Sequence, residues 1–469
     1  MKSDDPNDLA FKPIHELSDL IWRGVLKPVE LTEVLLDRIA RYDDRLHSFV
    51  ECYADDARRA AQGATSLLSA GHRIGPLHGI PVAVKDIIDI EGRVTTGGSM
   101  HWEQRISPDT ATLVRRMVSA GMIVLGKTHT VEFAMGGWGT NQRMGTPRNP
   151  WDNDEHRAPG GSSAGSGVAV AAGLSPCAIG TDTGGSVRLP SAWCGLTGLK
   201  TTVGRISTFG VLPLSTTLDT PGPMTRCVED TALLYDVLQG ADPRDSKTCR
   251  APSTSPLKNL KRGVAGMRLA VMPASERDGV DPEVLKAFDV SVDRLAELGA
   301  EIVHLNALPL SFADFADLTA KIIYTEGYYF VGDLCERREL PLDEDVRPRI
   351  LTGKQYSATE YFRAVRAQQD LKQQFRDLLE GCDAMLTPGA ATVAPIVDTI
   401  DQNATPAMFT RAVNFLEFCA LVLPNGFSDN GLPTSLQIIC KDFEESTALR
   451  IGWAYEQATN WNERRPHLD

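Results

Sequence analysis

No run of the sequence approaches 18 apolar residues, so no segment is expected to cross a bilayer as a helix. Cys-x-x-Cys and His-x-x-x-His pairs are also missing. Nine cysteines stand at 52, 177, 194, 227, 249, 335, 382, 419 and 440, an odd and scattered set that fits neither a disulfide framework nor a zinc cluster. A metal site is therefore not expected. Positive charge is in deficit: 48 Lys and Arg against 61 Asp and Glu leave a net −13, which argues against nucleic-acid and anionic-membrane partners. The opening Met1-Lys2-Ser3-Asp4-Asp5-Pro6 is polar and acidic, with no secretory hydrophobic region behind it. These absences together lead to the expectation of a cytoplasmic protein.

What is present reads as an ordinary folded chain. Its 469 residues are 42% apolar and 23% charged, and length alone suggests about three domains or one large α/β unit. Pro28 followed by Leu31, Val34, Leu35 and Ile39 predicts a helix, and a second, Ala-rich one is predicted over 55–69. After Gly75-Pro76 the texture changes. Buried strands are predicted at 80–88 and 122–125, with a helix over 110–120 between them. The polar 252–261 segment is the best internal boundary. Beyond it, 267–272, 282–298 and 301–305 alternate strand, helix and strand. Further strands are predicted at 384–387, 420–422 and 434–439, and a closing helix at 446–458. Such alternation implies a mixed or parallel sheet with helices on both faces.

Two familiar patterns fail on their context. Gly121 to Thr128 fits the phosphate-loop spacing, but its middle residues, Met122 to Leu125, are themselves a strand. Gly161-Ser162-Ser163-Ala164-Gly165 fits the nucleophile elbow of α/β-hydrolases. That motif needs a hydrophobic strand before it, whereas 153–160 is polar and ends in Pro-Gly. Among nine histidines no obvious triad base appears.

The stretch 158–222 is dense in Gly, Ser, Thr and Pro, a composition costly to order. It reads as a Gly/Ser loop from Gly160, a small-residue helix, a short strand, and a second loop Thr183-Gly184-Gly185-Ser186. Consecutive glycines let backbone N–H groups converge on an oxyanion. Plain turns would explain the glycines but not the repeated serines. Upstream, Lys85 stands inside the apolar run Ile80-Pro81-Val82-Ala83-Val84. Either its ammonium reaches solvent, or burial lowers its pKa and makes it a base for a hydroxyl nucleophile.

These three segments together resemble the amidase signature family, most densely from Leu77 to Asp230 and thinly between Lys261 and Ala384. The resemblance implies a Lys85, Ser162, Ser186 triad in which Ser162 follows a cis peptide bond and Ser186 is the nucleophile. It implies an oxyanion hole from the N–H groups of Thr183, Gly184, Gly185 and Ser186, and substrate contacts from Met135, Gly136 and Ser163. Asp182 and Arg188 would brace the second loop, and Tyr324, Tyr328, Tyr329 and Phe330 would wall the site or pack in the core. The implied fold is a single large α/β/α unit over 1–469, its central mixed sheet covered by helices, with a helical part at about 1–70 and a substrate-determining part at about 261–384. The implied function is an amidohydrolase cleaving the C–N bond of a small carboxamide, without cofactor, without nucleic acid or membrane, and compatible with a homodimer. Two alternatives stand beside it: a hydrolase of urea-like or carbamate substrates such as 1-carboxybiuret, allophanate or urethane, and an A-type subunit of glutamyl-tRNA amidotransferase. Ala164, Thr201 and Leu189 depart from the family pattern. Leu189 stands where the amidotransferase subunits usually carry glutamine.

Overall fold

Apolar residues at helical spacing build the N-terminal part. In the computed structural model, which describes residues 6–468, the helix Pro28–Leu46 starts on a proline whose missing N–H costs nothing there. The Glu30 carboxylate caps it by accepting from Lys27 N at 2.9 Å, and Leu31, Leu35 and Ile39 form its buried stripe. The polar stretch Met1 to Asp5 lies outside the described residues.

Among the described residues there are fourteen α-helices and eleven strands, all eleven in one mixed sheet. The strands are β1 (Phe49–Cys52), β2 (Pro81–Lys85), β3 (Ile123–Thr128), β4 (Cys177–Asp182), β5 (Thr197–Lys200), β6 (Thr220–Thr225), β7 (Arg268–Val271), β8 (Glu301–His304), β9 (Ala384–Pro388), β10 (Cys419–Phe427) and β11 (Pro433–Cys440). Their order across the sheet is β1-β3-β2-β4-β6-β5-β10-β11-β9-β7-β8. The chain is a single large α/β domain. The 252–261 connector is no domain boundary, because β5 before it pairs with β10 after it, Lys200 opposite Ala420.

Helices cover both faces, as alternation along β10 shows. Val422 packs with Leu189, Ala192 and Trp193 on the helix Arg188–Cys194. Its neighbour Leu421 faces the other way, where its Cδ2 would lie 2.3 Å from a methyl group on Gly452 of the helix Glu445–Gln457.

The site is positioned by the parallel strands β2 and β4, paired with Val84 beside Ile179. Every residue of both is buried. Lys85 ends β2, and Thr181 and Asp182 end β4, so the two polar ends meet at one edge of the sheet. Carboxyl ends of parallel strands are where open α/β sheets place their ligands. The helix Ala164–Ala171 lies against this part of the sheet, and Gly165 is what allows it: a Cβ there would lie 2.2 Å from Ser48 O and 2.4 Å from His129 N.

Candidate active site

Lys85 is wholly buried at the end of β2. Its Nζ donates to Ser162 Oγ at 2.8 Å and to Thr181 Oγ1 at 2.8 Å. Burial holds the amine down to about 7, against Asp219 and Asp182, whose charges favour its ammonium form. The lysine is thus held where its neutral form is accessible at ordinary pH. It does not reach solvent.

Ser162 is buried too, and the Gly161–Ser162 peptide is cis. The loop sits on a backbone platform: Gly161 N donates to Gly137 O at 2.7 Å, and Val131 N to Ser162 O at 3.2 Å. Ser163 N donates to Ser186 O at 3.3 Å, which holds the second loop beside the first. Ser186 Oγ makes no hydrogen bond among the described residues, and Ser186 lines a cavity of about 370 Å³. The structure therefore joins Lys85 to Ser162 directly and brings Ser186 alongside through the backbone.

Of the four amides expected to hold an oxyanion, three belong to cavity-lining residues, Thr183, Gly184 and Ser186. The fourth differs. Gly185 N donates to Asp182 Oδ1 at 2.8 Å, so its hydrogen is already taken. Asp182 and Arg188 are both fully buried and paired in a two-toothed contact, Nε to Oδ2 at 3.0 Å and one terminal nitrogen to Oδ1 at 3.0 Å. Asn414 Nδ2 adds a bond to Asp182 Oδ1 at 2.8 Å. Although burial opposes it, the Arg188 charge holds the Asp182 carboxyl well below the usual carboxylate range. Both residues brace the loop and stay out of the cavity.

Met135 and Gly136 line the cavity. Ser163 does not: its hydroxyl bridges inward, donating to Thr181 O at 3.3 Å and accepting from Thr181 N at 3.3 Å. That pairing uses the hydroxyl's only donor and ties the side chain to its neighbour strand. Of the four aromatics, Tyr324 lines the cavity, whereas Tyr329 is 82% exposed and Tyr328 donates to Glu336 Oε1 at 2.5 Å. The phosphate-loop lookalike is β3, whose Lys127 is buried against Asp86 at 2.7 Å.

Sequence reasoning missed Asp219, which accepts from Thr183 Oγ1 at 2.5 Å and from Leu214 N and Ser215 N, both at 2.9 Å. Burial raises its carboxyl to about 6. A signal was present, since Asp182 and Asp219 are the only acids between 158 and 222. Thr410, Arg411 and Asn414 gave none. They reach the site from 226 residues away or more, Thr410 Oγ1 donating to Gly184 O at 2.8 Å.

A mixed α/β sheet that sets a buried amine against one serine loop, with a second serine loop held beside it and its amides lining the cavity, defines an enzyme of acyl chemistry. The chain belongs to the Amidase family, whose sequence model matches residues 30–449. It is 35% identical over 483 residues to the A-type subunit of glutamyl-tRNA(Gln) amidotransferase from Geobacter metallireducens, covering 96% of this chain and 98% of that one. Among solved structures it is similar to a chain of a vestigial protein complex that bears on the origins of an s-triazine catabolic enzyme, with 30% identity, TM-score 0.89 and coverage of 98% and 100%. It is also similar to the native peptide amidase of Stenotrophomonas maltophilia, with 28% identity, TM-score 0.87 and coverage of 98% and 99%. The protein is an enzyme of amide C–N bonds.

The Geobacter relative is named as part of an enzyme acting on a glutamyl-tRNA, so the exclusion of nucleic acid does not stand. Net charge bears on nonspecific adhesion by one chain. It says nothing of what an assembly containing such a chain acts upon. Among the described residues no helix is long and apolar enough to cross a membrane.

Proposed function

We propose that the chain releases ammonia from the terminal carboxamide of a small substrate through an acyl-enzyme on Ser186, as an amidase of the kind found in amidotransferases. The observation that carries this reading is Lys85 Nζ at 2.8 Å from Ser162 Oγ, buried, its pKa lowered to about 7. Neutral Lys85 takes the Ser162 hydroxyl proton as Ser162 takes that of Ser186, and Ser186 Oγ bonds to the carbonyl carbon. The N–H groups of Thr183, Gly184 and Ser186 hold the oxygen as it becomes negative. The proton returns along the same path to the departing nitrogen as the C–N bond breaks. Water then opens the ester, giving the acid and restoring the serine. The cytoplasm is the compartment this role implies.

Identity to amidotransferase subunits along nearly the whole chain supports work within an assembly. A specific observation favours a second reading, a free-standing amidohydrolase. Leu189, standing where those subunits usually carry glutamine, is 1% exposed and lines the cavity with an apolar side chain. Ammonia or amine release by the purified chain alone, measured on glutamine, aliphatic and aryl amides, carbamates and biuret derivatives, separates the two. Turnover of glutamine that appears only with copurifying partner chains supports the amidotransferase role; robust turnover by the chain alone supports the free-standing enzyme. No release from any member, with or without partners, overturns both.

A further inference from the structure

We propose that Arg411 anchors a carboxylate on the acyl portion of the substrate, so that the cavity selects small amides that also carry an anionic carboxylate. The inference rests on the amidase reading of the same cavity and adds the chemical class of what enters it.

A guanidinium keeps its charge in proteins and carries five N–H donors, so a sheltered one is normally surrounded by acceptors. The other sheltered arginines obey this. Arg188 has Asp182, Gln437 and Asn414; Arg205 has Glu445 and two carbonyls; Arg347 has Glu344 and three carbonyls. Arg349, which also lines the cavity, donates to Met135 O at 3.1 Å and to Gln402 Oε1 at 3.0 Å. Arg411 is the exception. Among the described residues no carboxylate lies within ion-pair distance of its guanidinium, and no carbonyl accepts from it; the Tyr324 hydroxyl is its nearest polar company, and the Arg349 charge repels it. Burial disfavours its charge further.

The two acids of the same cavity are committed elsewhere. Glu344 accepts from Arg347 Nε at 2.9 Å, and Asp345 from Gln142 Nε2 at 2.8 Å. A cationic fork lining the cavity is thus left with one neutral hydroxyl, that of Tyr324, and no anionic or carbonyl acceptor from its own chain. A planar carboxylate matches that fork with two parallel hydrogen bonds.

Its placement ties it to the chemistry. Thr410, next in the chain, is bonded to Gly184 O, and a methyl group on Gly184 would meet Arg411 Cγ at 3.7 Å. The stem of the arginine therefore lies over the loop that carries Ser186. An anion held by Arg411 sets the far end of a short acyl chain beside that serine. Since the departing group is ammonia, the carboxylate belongs to the acyl part. A cavity of about 370 Å³ suits a molecule of this size.

The test uses the full chain and two measurements. Calorimetric titration with malonate, succinate and glutarate reports binding without turnover, and ammonia release is compared for their monoamides and for neutral butyramide. At least one dicarboxylate is expected to bind. Arg411→Gln should weaken that binding about 10- to 100-fold, in keeping with loss of charged hydrogen bonds, and lower kcat/KM for the matching monoamide through KM. Butyramide should lose clearly less kcat/KM than the matching monoamide does, and Arg411→Lys should fall between Arg411→Gln and the unmodified chain. The proposal is overturned if no dicarboxylate binds, if Arg411→Gln binds as well as the unmodified chain, or if both classes of amide lose activity together. Failure of every amide to react would count against the amidase reading, while dicarboxylate binding would still report on Arg411.

Discussion

The chemistry proposed here turns on where one amine sits. Lys85 has only hydroxyl partners, and its nearest opposite charges, Asp219 and Asp182, act from a distance against the cost of burial. The sign of the pH effect follows. Below about 7 the amine is protonated and cannot accept a proton, so kcat/KM should fall about tenfold per pH unit as pH drops. A rate profile from pH 5 to 9 checks this, and a flat acid limb would contradict it. Lys85→Ala should cost ~10²–10⁴ in turnover, the usual worth of a positioned base. Asp182 serves stability instead. Replacing it with alanine leaves Arg188 charged and buried without its partner, and should destabilise the fold by ~3–5 kcal/mol in denaturant titration. At this scale the sequence was a good guide to which residue types matter. It did not show that the Gly185 amide is taken by Asp182, because nothing local says that a glycine's N–H is already paired with a carboxylate.

At the scale of elements, the loops are held by close packing of the helix Ala164–Ala171. Gly165→Ala should cost ~1–3 kcal/mol, because the added methyl group meets main-chain atoms that cannot step aside. A melting temperature unchanged by this substitution would refute that account. The predicted strands flanking Lys85, the βαβ alternation after 261 and the closing helix all correspond to elements of the structure, with ends shifted by a few residues. β6 was not foreseen, since Pro221 and Pro223 each lack the N–H a strand interior normally donates. It pairs with β4 over all six residues, and with β5 only through Met224 and Thr225, beyond both prolines. The long helices Phe315–Glu336 and Ala358–Leu378 were also unforeseen. The first is apolar on more than one side, since it packs between neighbours, which blurs the helical stripe.

For the whole molecule, length allowed about three domains or one large α/β unit, the resemblance implied the single unit, and one sheet does draw its strands from 49 to 440, across the polar 252–261 segment. Composition cannot show that β10 returns to lie beside β5. Cutting the chain at that segment should therefore yield no independently folded half: each fragment alone should lack a cooperative melt by circular dichroism. A fragment that folds by itself would restore the boundary.

The central claim is that Ser186 carries the acyl group. Acid-quenched reaction mixtures with a slowly turned-over amide, digested and mapped by mass spectrometry, should show the acyl mass on the peptide containing Ser186 and none in Ser186→Ala. An adduct on any other residue, or turnover that survives in Ser186→Ala, would contradict the account.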